Sequence, residues 1–214
     1  MKPLAIDLFC GKGGWTNALL DVGFRVIGFD IKAQPGYRGE FWQTDVFSFK
    51  AKNFFLWMDE EFQVSNSWRI DFAVCSSPCE QFSVHCMKHF HKNPPYPEQG
   101  IKLFNHARNL LESLGVPYVM ENVRCAEKFV GRAVNHCGPF YLWGNAVPAI
   151  FSKDCYAACK QMSTRRKTDE NGKRIYAGND AVSKRLRKSN SAMIPYPIAR
   201  AVAEAGMRLV ECAA

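Results

Sequence analysis

The sequence predicts an α/β fold with a mostly parallel sheet and helices on both faces. Three observations carry that prediction. A short apolar run opens into a glycine-rich turn, a helical pattern follows, and a second strand-length apolar run comes directly after it. Further apolar runs of strand length recur downstream, separated by helical spacing. The 214 residues are 47% hydrophobic and 22% charged, enough for a sizeable core in a single domain spanning 1–214 and too apolar for a disordered chain.

Residues 3–9 read as the first buried strand and Cys10-Gly11-Lys12-Gly13-Gly14 as the turn. Trp15, Ala18, Leu19 and Val22 fall on one face of a helix that ends at Gly23, and residues 24–29 form the second strand, finishing at Asp30. Strands are predicted over 70–75, 118–120 and 140–143. A helix over 100–114 carries Ile101, Phe104, Ala107, Leu110, Leu111 and Leu114 and stops at Gly115 before Pro117. Residues 198–210 are alanine-rich and helical after Pro195-Tyr196-Pro197. Two stretches break the alternation: 81–99, with three histidines, three prolines and no periodicity, reads as a long loop, and 160–188 is polar, basic and turn-rich.

Net charge is +8, and its distribution is uneven. Residues 160–188 hold ten basic side chains against three acidic ones, a net +7, leaving +1 for the rest of the chain. One basic segment on a nearly neutral body points to a polyanionic partner. No stretch approaches 18 consecutive apolar residues, so no membrane span is expected, and no signal-type segment precedes Asp7, which leads us to expect a cytoplasmic location. The nine cysteines argue by their odd number against a closed disulfide set, and most read as small buried hydrophobes. His85, Cys86, His89 and His91 cluster, as do Cys155 and Cys159, but at no common zinc spacing, so no metal is expected.

Three places can do chemistry. A glycine cluster after a first strand lets a nucleotide-like ligand approach the backbone beside a helix N-terminus, and an acid ending the next strand, Asp30, is placed to accept from ribose hydroxyls. The absence of a Gly-Lys-Ser/Thr phosphate loop disfavours ATP. Cys79, in Ser76-Ser77-Pro78-Cys79-Glu80-Gln81-Phe82-Ser83, follows a buried strand, where a thiolate nucleophile would sit. Glu121 and Asn122 set an acid beside an amide at the end of a further strand.

Asp7-Leu8-Phe9-Cys10-Gly11-Lys12-Gly13-Gly14 resembles the first motif of the DNA cytosine-5 methyltransferases, their S-adenosylmethionine loop, and Asp30 resembles the family's ribose-binding acid. Thr44-Asp45-Val46 resembles the motif whose acid contacts the adenine, Ser77-Pro78-Cys79-Glu80-Gln81-Phe82-Ser83 the Pro-Pro-Cys nucleophile motif, and Glu121-Asn122-Val123 the Glu-Asn-Val motif. Ile194-Pro195-Tyr196-Pro197-Ile198-Ala199 resembles the last motif, which returns over the cofactor. Order and spacing fit across roughly residues 4–124.

The resemblance implies a Rossmann-like S-adenosylmethionine-dependent methyltransferase fold, and a methyl group moved to C5 of cytosine in double-stranded DNA with the target base flipped out. It implies catalytic roles for Cys79, Glu121 and Asn122, and cofactor contacts from Phe9, Gly11, Gly13, Gly14, Asp30, Ile31, Asp45, Val46 and Pro78. It further assigns nucleic-acid contacts to Ser83 and His85, in a DNA-facing loop over 81–99. From the basic segment, Arg165, Arg166, Lys167, Arg174, Lys184 and Arg185 are expected to meet phosphates. A monomer is expected. An RNA cytosine methyltransferase and a catalytically inactive DNA-binding subunit are the alternatives.

The pattern departs from the family in four places. Ser77 stands where the first proline of Pro-Pro-Cys is usual, and no Gln-x-Arg-x-Arg motif follows Asn122. Ser191-Ala192 stands where Gly-Asn is usual, with Asn190 nearby. The target-recognition region is reduced to a small basic insertion over about 152–190, which implies a short or relaxed sequence context and resembles phage-type members.

Overall fold

A central parallel strand must be apolar on both faces. In the first strand, β1 (Leu4–Leu8), Leu4, Ile6 and Leu8 enter one apolar cluster while Ala5 enters the other. The computed structural model describes residues 2–48, 53, 56, 69–86, 93, 95–163, 167–168, 174–175 and 193–213, with backbone alone at 161–163, 167–168 and 174–175. From β1 the chain turns through the glycines into α1 (Gly14–Val22) and returns as β2 (Arg25–Asp30), parallel to β1. Then come the edge strand β3 (Glu40–Gln43), β4 (Ile70–Ser76), α2 (Glu80–Cys86), α3 (Glu98–Leu114) and β5 (Tyr118–Asn122).

A 3-10 turn (Arg124–Ala126) and the short α4 (Glu127–Val130) lead into β6 (Asn135–Cys137) and β7 (Phe140–Trp143). After α5 (Lys153–Ser163) two short strands, β8 (Lys167–Thr168) and β9 (Arg174–Ile175), pair antiparallel, and α6 (Tyr196–Cys212) follows.

The sheet order is β3-β2-β1-β4-β5-β7-β6. Strands β3, β2, β1, β4 and β5 are mutually parallel, and β7 runs against both β5 and β6. One face is covered by α2, α3 and the turn after β5, through Phe82, Phe104, Ala107, Leu111 and Ala126. The other is covered by α1, α5 and α6, through Trp15, Leu19, Cys155, Cys159, Ile198 and Val202. The predicted class therefore holds: mixed α/β, a mostly parallel sheet, helices on both faces. The chain leaves β1 for β2 on one side and returns to β4 on the other, so the sheet has a switch point between β1 and β4, where α/β folds bind ligands beyond the strand ends.

Several elements differ from the sequence reading. Residues 81–99 are not one long loop: 81–86 belong to α2 and 98–99 open α3. In α2 only Phe82 is buried, too few apolar anchors to register as a helical period. Strand β5 extends two polar residues beyond the apolar run, through Glu121 and Asn122. Helix α5 puts Cys155 and Cys159, one turn apart, into the core, so the start of the stretch over 152–190 is part of the layer covering the sheet.

The cysteines divide unexpectedly. Cys86 and Cys125 form a disulfide joining α2 to the turn after β5, while Cys10, Cys75, Cys137, Cys155 and Cys159 are buried free thiols. Within the cluster around His85 and Cys86, Cys86 is bonded to Cys125, and no metal-binding group of three or more ligands occurs among the described residues. Trp42 packs edge-on against Phe29, as a covering aromatic; Trp57, Trp68, His89 and His91 lie outside the described residues. No helix among the described residues is long and apolar enough to cross a membrane.

Candidate active site

The glycine turn needs backbone that only some residues adopt. Gly11 and Gly13 have φ of 48° and 79°, where a side chain is disfavoured, and Phe9 takes φ 56° with its side chain present. A bulky residue held in that region is a strained feature of the kind that clusters at ligand sites. Gly13 stands at the N-terminus of α1, and the Gly11 N–H donates to Oδ2 of Asp30 at 3.0 Å, fastening the turn to the end of β2. The other carboxylate oxygen of Asp30 accepts from the Lys32 N–H at 2.9 Å.

Under this turn lies a polar pocket. Asp7 is fully buried on β1, and its Oδ2 accepts from the Thr16 hydroxyl at 2.7 Å. Thr16 also meets the Tyr37 hydroxyl, and the Tyr37 ring occupies the space that a Cβ at Gly28 would need. Burial pushes the Asp7 carboxyl up to about 7, and Oδ1 has no partner among the described residues.

A cavity of about 530 Å³ opens over the turn at the carboxyl ends of β1, β2 and β4, well within the size range of small-molecule sites. Phe9, Gly11 and Gly14 line it from the turn, Asp30 and Ile31 from the end of β2, and Ser76, Pro78 and Glu80 from the segment around Cys79. Met193 and Ile194 close it from the C-terminal side, and a Cβ at Gly14 would stand 3.2 Å from the Ile194 nitrogen. Ile31, an apolar flank of the cavity, is 60% exposed. A larger cavity, about 950 Å³, lies at the opposite end of the strands; the ion pairs Arg25–Glu40 and Arg69–Asp71 line it, and no cysteine, serine or threonine does.

Cys79 stands at the start of α2, its carbonyl accepting the Ser83 N–H at 2.9 Å. Its partly buried thiol is raised above the ordinary range by burial, then by the Glu121 and Glu80 charges, against a lowering contact from the Ser83 hydroxyl. Ser76 and Glu121 are register partners on β4 and β5, and the Ser76 hydroxyl donates to Oε2 of Glu121 at 3.0 Å. Burial lifts the Glu121 carboxyl to about 7, so near neutrality a large fraction carries its proton. Asn122 is wholly buried: its Nδ2 donates to the carbonyl and hydroxyl of Ser77, each at 3.0 Å, and its Oδ1 accepts from the Val123 N–H at 2.8 Å.

The structure therefore gathers Phe9, Gly11, Gly14, Asp30, Ile31 and Pro78 around one cavity; Cys79 lies in sequence between the lining residues Pro78 and Glu80, Glu121 is bonded to the lining Ser76, and Asn122 is buried against Ser77. Gly13 shapes the turn without lining the cavity. Asp45 is exposed and bonded to the Phe47 N–H, and Val46 is buried with its carbonyl held by His106; neither lines the cavity.

Ser83 lies beside Cys79, whereas the His85 ring packs edge-on against Phe129, its Nδ1 buried with no partner among the described residues. Lys167 and Arg174 sit on β8 and β9. Arg165, Arg166, Lys184, Arg185, Asn190, Ser191 and Ala192 lie outside the described residues. Sequence reasoning missed Trp15 and Ser76 as site residues. Trp15 passed for an ordinary core residue on the α1 stripe, and for Ser76 the only signal was its place at a strand end before Cys79.

No protein-family profile matches the sequence, and no curated protein does. Solved structures share part of the fold at low identity. One, described as a DNA modification methyltransferase encoded within an E. coli prophage, is 23% identical over 61% of this chain and 35% of its own, with TM-score 0.44. A mutant of Spodoptera frugiperda DNMT2 is 18% identical over 59% of this chain and 37% of its own, with TM-score 0.38. The glycopeptide N-methyltransferase MtfA, solved with S-adenosyl-L-methionine, is 16% identical over 68% of this chain and 59% of its own, with TM-score 0.32. This chain spans little more than a third of the first two.

Proposed function

We propose that the protein methylates C5 of cytosine in DNA, with Cys79 as nucleophile, Glu121 as acid and S-adenosylmethionine as methyl donor. The observation that carries the reading is that the Cys79 thiol feels the charge of Glu121, a carboxyl raised to about 7, while Ser76, which lines the glycine-floored cavity, hydrogen-bonds that carboxyl. The cavity residues fit such a cofactor: Asp30 for ribose hydroxyls, the glycines for close backbone approach, and exposed Ile31 with Phe9 as apolar flanks for a base. When bound, the cofactor supplies an electrophilic methyl group.

The protein's part follows from its side chains. C5 of cytosine is a weak nucleophile, so the ring must be activated. The Cys79 thiolate adds to C6, the ring's electrons move towards N3, and neutral Glu121 gives N3 its proton. C5 then has carbanion character and can take up a methyl group. Transfer of the C5 proton to water and expulsion of Cys79 as thiolate restore the aromatic ring, and Glu121 takes back its proton from N3. A neutral Glu121 helps twice, because its negative charge is one of the forces holding the Cys79 thiol protonated.

Asn122 anchors the Ser77 end of the nucleophile loop. The chemistry needs the target base outside the helical stack, which phosphate contacts from the basic segment would support without reading sequence. Methylation mapping of a methylation-free host genome after expression, beside total host tRNA, tests the reading. It predicts 5-methylcytosine in DNA in a context of two or three bases at most; methylation confined to tRNA, or absent, would contradict it.

A further inference from the structure

Ser76 closes β4 just ahead of the nucleophile loop, and it touches two groups. Its Oγ accepts from the indole N–H of Trp15 at 2.8 Å, and its hydroxyl donates to Oε2 of Glu121 at 3.0 Å. The first link runs one way, since indole nitrogen only donates. The Trp15 proton occupies a lone pair of Ser76, and the hydroxyl hydrogen has Glu121 as its acceptor. Oε2 of Glu121 is thereby kept as an acceptor, so the proton of a neutral carboxyl belongs on Oε1, for which the described residues provide no partner.

We infer that Trp15 and Ser76 form a positioning relay that keeps the Glu121 proton on Oε1, the oxygen free to meet the substrate ring. The inference deepens the proposed function and rests on it. Trp15 is nearly inaccessible, at 2% exposure, so its N–H is fixed by the packing of α1 against the sheet. Trp15 and Ser76 also line the cavity assigned to the cofactor, so the relay spans from that cavity to the acid. The ionisable groups set against Glu121 are the thiols of Cys75 and Cys79. Strand β7 places Leu142 opposite it.

The relay is read without any activity by following the Glu121 carboxyl in protein carrying carbon-13 at glutamate carboxyls, with Glu121→Gln identifying the resonance. Wild type titrates near 7. Removing the donor in Ser76→Ala raises the midpoint by about one pH unit, a tenfold change in proton affinity, and Ser76→Thr restores it. Trp15→Phe, which leaves Ser76 a less polarised donor, shifts it in the same direction by less. In methyl transfer, the alkaline limb of the kcat profile moves up with the Glu121 midpoint in Ser76→Ala, while kcat at lower pH falls by roughly 10- to 100-fold through misplacement of the proton.

An unshifted Glu121 midpoint in Ser76→Ala, or a Ser76→Thr protein that behaves like Ser76→Ala, overturns the relay. A wild type that methylates no nucleic acid would end the functional reading instead, and the carboxyl titration would still decide whether Ser76 directs the proton.

Discussion

Asn122 holds its place with both ends of its amide, two donations to Ser77 and one acceptance from the Val123 N–H, in a site closed to water. Substitution by alanine strands the Ser77 carbonyl and the Val123 amide. A stability loss of about 1–3 kcal/mol is expected in denaturant unfolding, the cost of unpaired buried polar groups. Asn122→Asp, which keeps the acceptor and removes the donor, should retain the Val123 contact and still lose the Ser77 loop. In both variants kcat should fall more than cofactor affinity does; an Asn122→Ala protein with unchanged kcat would remove Asn122 from the nucleophile's support.

At the scale of elements, the Cys86–Cys125 disulfide ties the helix that follows the nucleophile to the turn that follows Glu121 and Asn122. Closing a loop of 39 residues is worth about 4 kcal/mol in the chain-entropy account. A reductant, or Cys125→Ser, should therefore lower the unfolding midpoint, and mass mapping of unreduced peptides should recover the 86–125 pair; an insensitive midpoint would mean the bond carries no weight.

The same elements show what was legible in advance. The β1–turn–α1–β2 unit could be read because its apolar runs and glycines follow one another in the order that a parallel fold requires, and Cys79, Glu121 and Asp30 were legible because each ends or follows such a run. Strand β3 could not, since Glu-Phe-Trp-Gln at a sheet edge has no apolar alternation to betray it. Helix α2 stayed hidden behind a single buried anchor, Phe82, and the Trp15–Ser76–Glu121 contact joins three elements that only the folded sheet brings together.

For the molecule as a whole, two carboxyls among the described residues dominate the dependence on pH in the acidic to neutral range. Asp7 and Glu121 are both raised to about 7 from ordinary values of 3.8 and 4.5. Between those limits the folded state keeps protons that the unfolded chain has lost, so stability is greatest at the acidic end and falls as pH rises through this window. The slope is about 1.4 kcal/mol per pH unit for each such group, and it flattens above 7. Urea unfolding from pH 4.5 to 8 should show this decline, and Asp7→Asn should remove part of it; stability that rises across the same range would mean that Asp7 is ionised in the fold.

Charge acts at the same scale. With +7 of the +8 net charge in residues 160–188, DNA affinity should drop steeply with added salt, and replacing Arg165, Arg166 and Lys167 by glutamine should reduce the salt slope by about 3 at most.

The covalent step is the centre of the account, and trapping it tests that centre most directly. DNA carrying 5-fluorocytosine cannot lose its C5 substituent as a proton, so an enzyme that has added Cys79 to C6 and moved the methyl group stays bound. Incubated with S-adenosylmethionine, wild type should form a complex stable to denaturing electrophoresis, with peptide mapping placing the nucleotide on Cys79. Cys79→Ala should form none while still binding the cofactor, and Glu121→Gln should form it far more slowly. A complex formed by Cys79→Ala, or methyl transfer undiminished in that variant, would contradict the account.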